Sequence, residues 1–166
     1  MWIDRVLSLE PAKRLVAVKC VSLSEEHLHD HLAAEPGLPA CPVMPASLII
    51  EGCAQSAGIL VGHAGGFKEK VLLAKVSSAC LELDAHPGDT IVYDAAVETL
   101  SAQGASARVK VSLQRPDDPA ARAPLGEVQL LFSHADQNIS GIDFPEHNFV
   151  FGEAFQTLLR QSGFDA

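Results

Sequence analysis

Ser47, Glu51 and Gln55 recur four residues apart inside an otherwise apolar stretch, residues 46–61. At helical pitch all three fall on one face. Such a stripe can simply face water. Leu48, Ile49, Ile50, Cys53, Ala54, Ala57, Ile59, Leu60 and Val61 surround it, however. A carboxyl held in an apolar pocket favours its neutral form, which would let Glu51 act as a general acid near neutral pH. A second group, His27, His29 and His31, alternates just ahead of Pro36, Pro39, Pro42 and Pro45. On an extended segment that spacing would put all three on one side, as a metal site requires. No further ligands stand at a recognisable spacing, so no metal and no other cofactor is expected. His27 and His29 read as surface residues, whereas His31 is set apart by its surroundings.

The elements that must position these residues follow from pattern. Residues 2–22 read as two strands around the Glu10–Lys13 turn, and Ser24–Glu26 as a short helix start or a tight turn. The prolines forbid a regular helix or central strand between 27 and 45. A helix apolar on almost every side, as 46–61 would be, is a buried helix, and Gly65-Gly66 stands where it should stop. Period-two alternation then marks strands at 71–83, 90–100, 105–115 and 126–134, with a longer loop over 115–124. The expected class is α+β: a long buried central helix wrapped by a bent antiparallel β-sheet. Residues 1–137 read as one domain. Residues 138–166, with Phe144, Phe149, Phe151 and Phe155 and a short helix near 152–161, read as an extension packed on it.

Composition narrows the function. Only 5% of residues are aromatic, too few for base-stacking platforms, and a net charge of −9 opposes binding to a phosphate backbone. Nucleic acid is excluded as a partner on both counts. Cys20, Cys41, Cys53 and Cys80 lie far apart with no C-x-x-C pair, so free thiols are expected. Met1–Arg5 shows no signal-peptide pattern, and the apolar region around 48–62 is too short to span a bilayer. A soluble cytoplasmic protein without membrane contact is expected.

Residues 42–55, Pro-Val-Met-Pro-Ala-Ser-Leu-Ile-Ile-Glu-Gly-Cys-Ala-Gln, closely resemble the signature of the β-hydroxyacyl-ACP dehydratases. Val21–Leu32 resembles that family's segment ending in His-Phe. Ala74-Lys75-Val76 and His86-Pro87-Gly88-Asp89 stand where the family has a core strand and a Pro-Gly-Asp turn. The chain differs by an inserted loop at 33–38 and by alanine for glycine at 40 and 46. Counting back from Pro42 without a gap puts Gly37 at the histidine position; admitting the loop puts His31 there, which the upstream match favours.

The resemblance implies a hot-dog fold and dehydration of a (3R)-hydroxyacyl thioester to the trans-2-enoyl thioester, a hydro-lyase reaction of fatty-acid or related acyl-chain synthesis. By position, His31 would take the α-proton and Glu51 would protonate the departing hydroxyl. The Ala46 N–H would hold the developing oxyanion, with Val43 and Gln55 contacting substrate. A homodimer, or an oligomer of dimers, is implied, with an acyl carrier protein or coenzyme A thioester as substrate. Lys68, Lys70 and Lys75 could form a basic landing patch for an acidic carrier. Two other expectations stand beside this one: a catalytically silent acyl-binding hot-dog protein, and a thioesterase in which Glu51 activates water without His31.

Overall fold

The computed structural model describes residues 1–134, 148 and 150–164. In chain order these form β1 (Arg5–Glu10), β2 (Arg14–Cys20), α1 (Glu26–Asp30), α2 (Ala46–Ala64), β3 (Val71–Leu81), β4 (Thr90–Ser101), β5 (Gly104–Arg115), β6 (Asp118–His134) and α3 (Glu153–Gln161). Pro45 and Gly65 bracket α2, the usual punctuation of a helix start and stop. The strands make one antiparallel sheet in the order β1-β2-β4-β5-β6-β3, open rather than closed into a barrel. This is the hot-dog architecture, with α2 packed against the sheet's inner face.

Strand alternation drives the packing. β5 buries every second residue, including Ala105, Ala107, Val109, Val111 and Leu113, against α2. Ile49, Cys53, Ala57 and Leu60 answer from the helix. Small helix residues let the partners approach closely. A Cβ at Gly52 would lie 2.3 Å from the Tyr93 hydroxyl and 2.9 Å from the Trp2 carbonyl oxygen. Tyr93 is fully buried there, and burial pushes its phenol well above the usual range.

Two expectations about local structure are corrected. Residues 26–30 are helical, because the prolines that forbid helix begin only at Pro36. Helical pitch therefore turns His29 away from His27, and His31 leaves the helix as its extended C-cap, so the three do not line up along one extended segment. His29 is exposed and bonds the Leu23 carbonyl, whereas His27 is half-buried and packs edge-on against Trp2 at 5.1 Å. The loop expected at 115–124 is instead a tight hairpin, Arg115 pairing with Asp118, so β6 starts early. Its segment Asp118–Pro124 lacks apolar alternation and is held by the backbone ladder, with Pro124 beside a bulge, where proline is tolerated.

A polar cluster ties β1 and β2 to the start of α1. Lys19, 5% exposed, bonds the carboxylates of Glu25 and Asp4, and Asp4 also accepts the Cys20 N–H at 2.7 Å. Beyond β6, Asn148 Nδ2 donates to the carbonyls of Phe67 (2.9 Å) and Glu69 (3.0 Å). Leu158 and Leu159 of α3 are buried, and the Val6 N–H of the β1 edge donates to Ser162 Oγ at 3.0 Å. The described part of the extension therefore packs on the body, while Phe144 and Phe149 lie outside the described residues. No described helix is long and apolar enough to cross a membrane.

Two stability predictions follow from this packing. Gly52→Ala should cost about 1–3 kcal/mol by overpacking against Tyr93, read from urea denaturation; an unchanged midpoint would contradict the contact. The Lys19 cluster sets a pH dependence. Burial is the largest influence and lowers the Lys19 pKa, but the bonds to Glu25 and Asp4 together outweigh it, leaving the ammonium above its ordinary value of 10.5. A raised folded-state pKa stabilises fully below the unfolded value and is lost as pH climbs through the folded one. Stability should thus decline above about pH 10.5, and Lys19→Met should remove that part of the decline in denaturation curves taken across alkaline pH.

Candidate active site

His31 caps the C-terminal end of α1, and its Nδ1 lies 2.7 Å from the Val43 carbonyl oxygen. A carbonyl only accepts, so Nδ1 donates, and in the neutral ring this leaves the lone pair on Nε2, the form a general base needs. The segment that supplies this carbonyl is pinned from its other side. Met44 N–H donates to the Ala85 carbonyl at 2.8 Å, and His86 Nδ1 to the Pro42 carbonyl at 3.2 Å. The turn that presents His86 is held by the buried Asp89, which accepts the His86 N–H at 2.9 Å, and by Gly88 at φ +99°. The Pro-Gly-Asp pattern was visible in the sequence, but its work as a brace for residues 42–44 was not.

The inserted loop leaves this arrangement intact. Cys41 N–H donates to the Leu32 carbonyl at 2.9 Å, closing the loop at its base. Within it Glu35 and Leu38 exchange two backbone bonds around Gly37 at φ +86°. The insertion is a self-contained exposed turn that keeps Gly37 out and His31 beside Val43. Neither Ala40 nor Ala46 takes a left-handed conformation, so alanine is unstrained where the resembled family has glycine.

His31, Val43 and Ala46 share one cleft of about 340 Å³ with Met44, Ile49 and Leu81. Ala46 opens α2, where Leu48 and Ile49 N–H both turn to the Pro45 carbonyl. The Ala46 N–H precedes that first bond and belongs to the unpaired set that favours negative charge at a helix start. Val43 is 5% exposed, and its backbone, through the carbonyl on His31, is its clearest contribution.

Glu51 and Gln55 lie elsewhere, in a cleft of about 220 Å³ lined further by Ala54, Gly58, Ile59, Val71, Leu73 and Phe132 and by residues of the C-terminal extension. Gln55 is fully engaged: its Oε1 accepts the Trp2 N–H at 2.8 Å and its Nε2 donates to Glu51 Oε1 at 2.9 Å. Its side chain therefore orients Glu51, a contact the sequence did not disclose. The expectation that Glu51 sits enclosed in an apolar pocket is corrected for the single chain. Its carboxylate is exposed on the open side of α2, as are Ser47 and the start of the helix, because the sheet does not close over that side.

No residue lines both clefts. The Glu51 cleft reaches the Val71 end of β3, and the His31 cleft reaches its Leu81 end. A larger hollow of about 530 Å³ lies around Lys110, Arg122 and Glu127 and shares no lining residue with either cleft. Lys68 and Lys70 follow α2, at the opposite end of that helix from Ala46, and Lys75 is exposed on β3.

A family model described as a FabA-like domain matches residues 1–115. Among curated relatives, the 3-hydroxyacyl-[acyl-carrier-protein] dehydratase FabZ of Listeria welshimeri is 32% identical over 115 residues, covering 69% of this chain and 76% of that protein. The FabZ of Ruminiclostridium cellulolyticum is 34% identical over 114 residues, covering 68% and 76%. Solved structures are similar in fold. A thioesterase family protein from Silicibacter pomeroyi superposes with TM-score 0.61 at 12% identity, over 78% of this chain and 82% of that one. A Streptococcus mutans protein bound to acetyl CoA gives 0.56 at 13% identity, over 78% and 86%. With the signature helix, the open wrapped sheet and the family match all falling on the same residues, the chain belongs to the FabA-like dehydratase family.

Proposed function

We propose that this chain removes water from a 3-hydroxyacyl thioester, using His31 of one copy and Glu51 of a second. The observation that carries the reading is the His31 imidazole, fixed through Nδ1 in the same cleft as Ala46, whose N–H opens α2. His31 Nε2 takes the α-proton, and the thioester oxygen gathers charge toward Ala46. The electron pair then forms the α,β double bond as the C–O bond breaks. Glu51 gives its proton to the departing hydroxyl, so water and a trans-2-enoyl thioester leave. Proton return from His31 to Glu51 through solvent resets the site.

The second copy follows from β3. It is an edge strand of 11 residues whose Leu73 and Val76 are 42% and 39% exposed, an open template for pairing. Two such edges paired antiparallel about Val76 would set the Val71 end of one beside the Leu81 end of the other. That two-fold brings the Glu51 cleft of one chain to the His31 cleft of its partner, twice per dimer. The same operation carries Lys68 and Lys70 of the second copy toward the His31 cleft, where they suit an acidic carrier. The FabZ relatives are named for carrier-bound substrates, and the S. mutans neighbour holds acetyl CoA, so a phosphopantetheine thioester is the substrate class. We assign the enzyme to acyl-chain synthesis in the cytoplasm.

Enoyl formation, followed by absorbance, should fall by about a hundredfold or more in His31→Ala and in Glu51→Gln alike. Mixing the two variants under exchange should restore activity, up to about a quarter of wild type for random pairing with one intact site per hybrid dimer. Absence of recovery would sink the shared site. A thioesterase would instead release free thiol and survive loss of His31. Val76→Lys should shift the sedimenting species from dimer to monomer and abolish turnover, and a dimer that persists unchanged would reject β3 as the interface.

A further inference from the structure

The C-terminal extension sets two aromatic rings at the far end of the Glu51 cleft. Phe151, 6% exposed, lays its ring on α2 so closely that a Cβ at Gly62 would fall 2.3 Å from the ring tip. Phe67 and Phe155 meet it edge-on, at 4.9 and 6.0 Å. Phe151 and Phe155 line the Glu51 cleft on one side. On the other they line a separate void of about 30 Å³, completed by Phe67, Gln156 and Leu159. The two rings are a partition between the chambers.

The chamber on the Glu51 side has the Glu51–Gln55 pair at one end and, among the described residues, only apolar side chains beyond it. Its volume of about 220 Å³ is below the roughly 300–1,000 Å³ usual for ligand pockets. That shape suits a short hydrocarbon tail whose reacting carbons stay near the carboxyl. The partition is also held firmly: Leu158 and Leu159 are buried, Ser162 is bonded to β1, and Asn148 is bonded to the turn after α2. The geometry points to α3 and the Phe151–Phe155 pair as a chain-length gauge, which limits this enzyme to short acyl thioesters. The inference rests on the reading that this cleft receives the acyl group. Phe155 is the adjustable part, because it is half-buried on α3, whereas Phe151 is wedged against Gly62.

The test is calorimetric binding of butyl, octyl and dodecyl coenzyme A thioethers to the full chain, to Phe155→Ala and to Phe155→Trp. Wild type should prefer butyl over dodecyl by about tenfold or more. Phe155→Ala should join the two chambers and raise dodecyl affinity about tenfold, while Phe155→Trp should weaken octyl by a similar factor. The same chain-length order in all three folded proteins, or no binding by any of them, would overturn the gauge. Thioethers are neither dehydrated nor hydrolysed. A gauge that shifts as expected in a protein forming no enoyl product would therefore remove the dehydratase reading alone, and an unshifted order with enoyl formation intact would remove the gauge alone.

Discussion

Burial of α2 is the constraint on which the rest of this molecule depends. A helix carrying Ile49, Cys53, Ala57, Ile59, Leu60 and Val61 on several sides cannot lie on a flat sheet with half its circumference in water. The sheet must bend around it, and right-handed strand twist lets an antiparallel sheet do so. Six strands wrap the helix without closing, so one side stays open between the β1 and β3 edges. Ser47, Glu51 and Gln55 run along that side. The Glu51 carboxyl, the proposed acid, is therefore placed by the gap in the packing, not by a dedicated loop.

What the sequence disclosed matches what local chemistry determines. The α2 limits were legible because Pro45 and Gly65 punctuate them, and β5 because period-two burial leaves its mark on composition. Helix α1 was legible only as a short helix start or tight turn at Ser24–Glu26, since five residues carry too little periodicity to show how far it runs. The early start of β6 was missed because its first residues are held by ladder bonds to β5 and leave no apolar pattern. The environment of Glu51 was misjudged for a different reason. An apolar neighbourhood in sequence says how a helix is surrounded on average, and only the strand count decides which side is left uncovered. The pairing of His31 with Val43 was hidden too, since a backbone acceptor leaves no trace in residue type.

Both halves of the site are aligned through backbone atoms. Val43 offers a carbonyl to His31, and Trp2 offers an N–H to Gln55, which in turn holds Glu51. The Lys19 cluster anchors the strand that precedes α1, and the Asp89 turn anchors residues 42–44. Reacting groups fixed in this way lose little freedom when substrate arrives, and acid–base geometry depends on that. It also explains how an insertion of residues 33–38 is tolerated so close to His31. The loop closes on itself through Leu32 and Cys41, so its length is not transmitted to either anchor.

The two sheet edges are treated differently, and the difference orders the site. At β1 the extension folds back, caps the Val6 N–H with Ser162, and places its rings against α2. At β3 the described residues leave the edge bare, with Leu73 and Val76 exposed. An edge occupied by the chain's own tail is a poor dimer seam, so the proposed pairing falls to β3. Pairing there would set a partner chain over the very side of α2 that carries Glu51. The described part of the tail covers that side beyond Gly58, where the described residues lining the cleft are apolar. One open flank of one helix is thus divided by position: in the proposed dimer its first turns would face the partner's histidine, while its last turns face the phenylalanines of its own tail.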